Sequence, residues 1–419
     1  MKVSKLAENI IGSEIIKLAA DVNEKIRKGE VIYNFTIGDF DPAEFPIPDQ
    51  LKTYILEEYQ NDHTNYPAAD GMAELRTAIS GLLKERGGLN YKPDEILVAG
   101  GARPLIYSIF RTLVDQNDKV IFATPSWNNN HYTYLNHAQA LVVEAMPENN
   151  FMPRAEDLAP MLPEAVLLAL CSPQNPTGTV FTKKGLQEIC DMVVAENKKR
   201  GPDSKPLYLM YDQIYWALTY DGIQHYDPVN LNPAMREYTI YVDGISKSLA
   251  ATGVRIGWSM GPKKIISKMK SILTHIGAWA PKAEQLATAR YLSRLDLYDK
   301  YIETQKQKIS ARLRGFYDGI INLRNQGFKV NAIEPQAAIY LTVQFDLHGQ
   351  KTAEGEVLED TRAVTAYLLN EAGLAIVPFY AFGASASSSW YRLSVGTCSL
   401  NDVEKVMAGL ESSLRKLKR

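Results

Sequence analysis

Val166-Leu167-Leu168-Ala169-Leu170-Cys171 runs straight into Ser172-Pro173-Gln174-Asn175-Pro176-Thr177-Gly178. An unbroken apolar run of this length suits a strand covered on both faces. The prolines and the glycine then stop it in a rigid loop. The same signature recurs on either side. Ile96–Ala99, Val120–Ala123, Leu141–Ala145, Leu207–Tyr211, Thr239–Val242 and Ile256–Met260 are short apolar runs separated by helical stretches. Strands alternating with helices predict an α/β fold with a mostly parallel sheet and helices on both sides. Beyond about residue 300 the pattern changes to long polar-faced helices and fewer strands, Ile339–Val343 among them. The division expected is a large domain over 46–300 and a smaller α+β domain over 301–419, which the N-terminal segment 1–45 joins. That segment carries an amphipathic helix over 13–29, with Ser13 as its cap, and a loop around Asp39, Asp41, Pro42, Pro46 and Pro48.

The chain has 419 residues, of which 46% are hydrophobic and 22% charged, as in a globular protein rather than a disordered one. A net charge of −2 argues against a nucleic-acid binder that relies on bulk electrostatics. Cys171, Cys190 and Cys398 are scattered without C-x-x-C spacing, so neither a disulfide scaffold nor a metal site is expected, and a reducing cytoplasm is the simplest compartment. No apolar run approaches the roughly 18–20 residues of a membrane span, and Met1–Lys17 lacks the apolar core of a secretory signal. The basic runs Lys198–Arg200 and Arg415–Arg419 are expected to be solvated surface.

Ligands of open α/β sheets sit beyond the carboxyl ends of the strands, so the residues after each apolar run are the candidates. Gly100-Gly101-Ala102 leads into a helix, which is either a tight turn or an anion cradle of backbone N–H groups. Trp127 is either core or a flat lid for a ring. Asn175 sits on the rigid loop as an amide donor. Asp212, with Tyr215 three residues on, is either a helix cap or the partner of a cationic ligand atom. Ser246-Lys247 and Arg255-Ile256-Gly257 follow. Together they suit one ligand: a phosphorylated pyridine carrying a carbonyl. Glycine N–H groups, Ser246 and Arg255 suit the phosphate, Trp127 a ring face, and Asp212 a protonated ring nitrogen. Asn175 and Tyr215 suit a ring hydroxyl, and Lys247 supplies an amine able to form a Schiff base.

Asn175-Pro176-Thr177-Gly178, Asp212-x-x-Tyr215, Ser246-Lys247 and Arg255-x-Gly257 fall in the order and spacing of the class I/II aminotransferases, which the chain resembles almost end to end. Thr36-Ile37-Gly38-Asp39, the stretch from Tyr66 to Arg76, and Arg392-Leu393-Ser394 resemble further motifs of that family. The resemblance implies fold type I, pyridoxal 5'-phosphate as cofactor, and a homodimer with shared active sites. It casts Lys247 as the lysine that joins the cofactor and shuttles the proton, and Asp212 as the partner of the pyridine nitrogen. Asn175 and Tyr215 would bond the ring's phenolic oxygen, and Trp127 would stack on the ring. Ser246, Arg255 and the N–H groups of Gly101 and Ala102 would hold the phosphate. Arg392 would clamp the substrate α-carboxylate, Gly38 would let a loop approach the substrate, and Tyr66 would reach the phosphate in the neighbouring subunit.

The chain departs from the family pattern in places. Ala102 stands where many relatives carry a hydroxyl or a lysine, and Arg103, next along, is expected to face solvent. Trp127-Asn128-Asn129-Asn130-His131 is longer by an asparagine than the corresponding tryptophan segment, and Phe379 and Tyr380 are bulky. These changes are expected near the substrate side chain. The activity implied is transfer of an amino group from an L-amino acid to a 2-oxo acid by a ping-pong mechanism. The rivals are a β-eliminating lyase of the same fold and a non-enzymatic binding protein that has kept it.

Overall fold

The computed structural model describes residues 2–10 and 14–418, residues 14–17 by backbone only. Helix Glu14–Arg27 matches the amphipathic stretch, and Ser13, its expected cap, lies outside the described residues. Val22 anchors the helix against Leu369 and Ala375. Strand β1 (Tyr33–Asn34) follows and pairs in parallel with β11 (Leu374–Ala375), which ties the start of the chain to its last quarter.

The central sheet comprises β2 (Ile96–Ala99), β3 (Lys119–Thr124), β4 (Gln139–Glu144), β5 (Ala165–Cys171), β6 (Tyr208–Asp212), β7 (Thr239–Gly244) and β8 (Gly257–Met260), in the order β2-β8-β7-β6-β5-β3-β4. Only β8 runs against its neighbours; the other pairings are parallel. The apolar runs find their cause in β5: Leu168 and Leu170 pack into one core, Leu167 and Ala169 into another on the opposite face. Each face removes apolar area from water at about 25 cal/mol per Å2. β4 is the edge strand with Val142 exposed, and it begins two residues before the expected Leu141.

A second, antiparallel sheet has the order β12-β13-β10-β9, formed by β9 (Val330–Ala332), β10 (Tyr340–Phe345), β12 (Val377–Pro378) and β13 (Trp390–Ser394). Helix Leu295–Asn325 runs without a break past residue 300 and lays Ile309, Leu313, Phe316 and Ile320 against a core that includes Tyr340, Leu341 and Val343. Phe35, Phe40 and Phe45 from the N-terminal segment join the same core.

Candidate active site

The carboxyl ends of β2, β3, β5, β6 and β7 deliver Ala102, Trp127, Asn175, Asp212 and Lys247 to one side of the sheet. Antiparallel β8 brings Arg255 to the same edge by its entry instead. Gly38, Ala102, Trp127, Asn175, Asp212, Tyr215, Ser246, Lys247, Arg255 and Arg392 all line one cavity of about 390 Å3. Gly101, immediately behind its rim, adopts φ +101°, a conformation that side chains disfavour, and a Cβ there would collide with the Arg255 guanidinium. A Cβ at Gly257 would lie 2.5 Å from the Gly101 carbonyl carbon and 2.8 Å from the Ala102 nitrogen. The two glycines thus let β8 and the start of helix Ala102–Leu113 close up. Arg255 stays at this turn through Nη1 to Thr252 O at 2.6 Å and Nη2 to Gly100 O at 2.9 Å. The helix N-terminus and the guanidinium together make an anion site.

Lys247 lies on a single turn, Ile245–Ser248, after the buried end of β7. Its Nζ donates to Gly38 O at 2.6 Å. Burial lowers its pKa to about 8; Asp39 opposes that shift, while Arg392 and Arg103 add to it. An amine held there keeps a share of its lone pair near neutral pH, as a nucleophile or general base must. Asp212 ends β6, with Oδ1 accepting from Ile214 N at 3.1 Å. Burial raises its pKa to about 6, and the one backbone N–H offsets this only in part. It is therefore a turn cap through one oxygen, while the carboxylate as a whole has no cation beside it among the described residues. A protonated ring nitrogen would supply one.

Arg392 lies on β13, opposite Thr342 of β10. It is 2% exposed, with Nη1 donating to Asn175 Oδ1 at 3.0 Å and Nη2 to Thr36 O at 2.6 Å. Its Nε has no protein partner, and no carboxylate pairs with it among the described residues. The guanidinium lies between the rings of Tyr340 and Phe382, 4.7 and 4.8 Å from their centroids. A buried cation without its counter-ion is costly, and a ligand carboxylate would relieve that cost. Asn175 spends its oxygen on Arg392 and keeps its amide N–H groups for a ligand. Burial pushes the Tyr215 hydroxyl well above its usual pKa, so it keeps its proton.

Other expected placements differ. Arg103, expected to face solvent, is exposed yet lines the cavity, its guanidinium 5.3 Å from the Trp127 ring centroid. Phe379 does not reach the cavity; it packs on Phe151 and Phe382, because the short turn at Phe379–Phe382 points it into an apolar cluster. Tyr380 is not among the lining residues either and lies beside Arg362. Of the asparagines after Trp127, Asn129 reaches the lining. Tyr66 lies outside the cavity, 81% exposed, its ring edge-on to Trp279. Thr36 and Asp39 were read only as part of a motif and Tyr340 not at all: the Thr36 carbonyl accepts from Arg392, Asp39 accepts from Thr252 Oγ1 at 2.7 Å, and the Tyr340 hydroxyl lies 2.6 Å from that of Tyr215. Asp39 carried a signal, an acid directly after Gly38. Tyr340 carried none, because a tyrosine in an apolar strand reads as core.

An anion cradle, a half-buried acid with no cation beside it among the described residues, a lysine of lowered pKa and an unpaired arginine fit pyridoxal phosphate with an amino acid beside it. In a fold with this sheet order they define a pyridoxal-phosphate enzyme of fold type I. The sequence model of "aminotransferase class I and II" matches residues 30–410, and the chain belongs to that family. It is 29% identical over 399 residues to an aspartate aminotransferase of Bacillus sp. (strain YM-2), covering 94% of this chain and 95% of that one. It is 28% identical to that of Geobacillus stearothermophilus, covering 96% of each. Among solved structures, the aspartate aminotransferase of Rhizobium meliloti superposes with a TM-score of 0.90 at 25% identity over the whole of both chains. The Thermus thermophilus enzyme with maleate gives 0.86 at 26% identity, over 99% of this chain and 100% of that one. The chain is a transaminase that uses pyridoxal phosphate to pass amino groups between amino acids and 2-oxo acids. Among the described residues no helix is long and apolar enough to cross a membrane.

Proposed function

We propose that the chain moves the amino group of a dicarboxylic L-amino acid to a 2-oxo acid in two half-reactions, and that the residues in the cavity divide the task as follows. Pyridoxal phosphate, when bound, supplies the aldehyde that takes the amino group and the ring that accepts electrons from the α-carbon. Arg255, Ser246 and the N–H groups of Gly101 and Ala102 hold its phosphate. Asp212 keeps its ring nitrogen protonated, Asn175 and Tyr215 donate to its ring oxygen, and Trp127 covers its face. Arg392 binds the substrate α-carboxylate with Nε and an Nη as a two-toothed fork. Gly38 leaves room beside it: a Cβ there would stand 2.7 Å from Tyr340 Oη. Lys247 Nζ takes the α-proton and returns it to the former aldehyde carbon.

The convergence of Lys247, Asp212 and an unpaired Arg392 on one cavity carries this reading. Arg103 supports the dicarboxylic preference. It is a cation at the rim with no acid partner among the described residues, whereas Arg290 is occupied by Glu57 and Glu58. The names of the relatives agree. We further propose that Tyr66, exposed on its own chain, serves the partner's phosphate in a cytoplasmic homodimer. We also propose that 46–300 and 301–419 act as large and small domains.

The test is a single half-reaction. Holoenzyme given aspartate without an acceptor should release one equivalent of oxo acid and stop, then resume when a 2-oxo acid is added. Arg103→Leu should lower kcat/KM for aspartate and glutamate by about tenfold or more relative to alanine, the lower end for a charged hydrogen bond. Steady release of ammonia without acceptor would contradict the transfer. Equal losses on aspartate and alanine would contradict the role of Arg103.

A further inference from the structure

Tyr340 touches both Tyr215 and Arg392. It opens β10, fully buried, and lines the cavity. Its hydroxyl lies 2.6 Å from the Tyr215 hydroxyl, and the two rings meet edge to face with centroids 5.6 Å apart. Its ring face carries the Arg392 guanidinium. Its Oη occupies the space a Gly38 side chain would need, and Gly38 O is the acceptor for Lys247 Nζ.

Two hydroxyls share one hydrogen bond here, and either could donate it. Tyr340 Oη has no other hydrogen-bond partner among the described residues, and the Gly38 carbonyl is already taken by Lys247. If Tyr340 gives its proton to Tyr215, the O–H of Tyr215 is left to point into the cavity. Hydrogen bonds in a chain polarise one another, so a donor that itself accepts a bond donates more strongly.

We propose that Tyr340 is a positioning residue, which orients the Tyr215 hydroxyl toward the cofactor's ring oxygen and ties it to the strand pair that carries Arg392. This rests on the proposed place of Tyr215 against that oxygen. A donor on the ring oxygen stabilises its negative charge, which makes the neighbouring nitrogen easier to deprotonate. Losing the donor, or weakening it, raises the pH at which the bound cofactor changes its absorbance.

The experiment titrates that absorbance against pH in wild-type holoenzyme, Tyr215→Phe, Tyr340→Phe and the double variant. Tyr215→Phe should move the midpoint up by roughly 1–2 units, the scale of a hydrogen bond to a charged group. Tyr340→Phe keeps the ring under Arg392 and should move it up by roughly 0.1–0.6 unit, the share that cooperativity supplies. In the Tyr215→Phe background the second change should add nothing. An unmoved midpoint in Tyr215→Phe overturns the placement of Tyr215 and this proposal with it. A normal shift in Tyr215→Phe with none in Tyr340→Phe, or an equal Tyr340→Phe shift in both backgrounds, overturns the proposal alone. A downward shift in Tyr340→Phe means that Tyr215 gives its proton to Tyr340, and also overturns it.

Discussion

On the wall of the cavity made by the central sheet, every functional side chain but Arg255 follows a strand end, and the charges are mixed: Asp212 and Lys247 are both half-buried, and desolvation pushes each toward neutrality. On the opposite wall, made by the N-terminal segment and the second sheet, Asp39 is turned to Thr252 and Lys247, and Arg392 is held without a counter-ion among the described residues. Arg392 is fixed there by a backbone carbonyl, an amide oxygen and two aromatic rings. Neutral donors and π-faces orient the guanidinium without cancelling its charge, as an acid would. The first wall is poised to exchange protons and the second to hold an anion. Chemistry and recognition are thereby assigned to different parts of the chain.

The largest effect should come from the first wall. Asp212→Ala should leave the cofactor bound but lower turnover by at least ~102-fold, the scale of a positioned charge acting on a transition state. Single-turnover rates with cofactor occupancy measured alongside decide it. A wild-type rate would reduce Asp212 to the cap of the turn at Ile214.

The second wall should give a smaller and more even loss. Arg392→Lys keeps the charge but cannot form the planar fork, and should cost about 1.5–3 kcal/mol in kcat/KM. Aspartate, glutamate, phenylalanine and alanine should suffer alike, since all share the α-carboxylate. Collapse of the dicarboxylic pair alone would move Arg392 to the distal carboxylate, and the α-carboxylate clamp would have to lie elsewhere in the cavity.

The smallest effect is a control. His225 lines a separate cavity, neither of its ring nitrogens has a protein partner, and burial lowers its pKa to about 3. Its folded value lies below its unfolded one, so the neutral ring's contribution is complete above about pH 6.5 and is lost as pH falls toward 3. Denaturant melts should lose at most about 1.4 kcal/mol per pH unit to this group, and His225→Leu should flatten that slope without altering the spectrum of the bound cofactor. An unchanged slope would show that the ring is solvated in the folded protein.

The first wall was far more legible in the sequence than the second. The strands of the central sheet other than β4 were legible as apolar runs because both faces are covered, and the residues after them could be read as a site from that fact alone. The edge strand β4 shifted because one of its faces meets water, and alternation hides a boundary that a solid apolar run displays. In the second sheet only β10 stood out. β9 and β12 span three and two residues, too short for any period to appear. Arg392 was found through its motif, but its partners Thr36 and Tyr340 lie hundreds of positions or a strand pairing away. Phe379 and Tyr380 were misplaced because bulk in a sequence does not reveal direction.

The central claim is that Lys247 is the amine on which the first wall depends. Borohydride reduction of the yellow holoenzyme, followed by peptide mapping, tests it most directly. The cofactor should be fixed to the peptide containing Lys247 and to no other lysine, and Lys247→Ala should bind the cofactor without being labelled. Labelling at Lys263 or Lys264 instead would contradict the account.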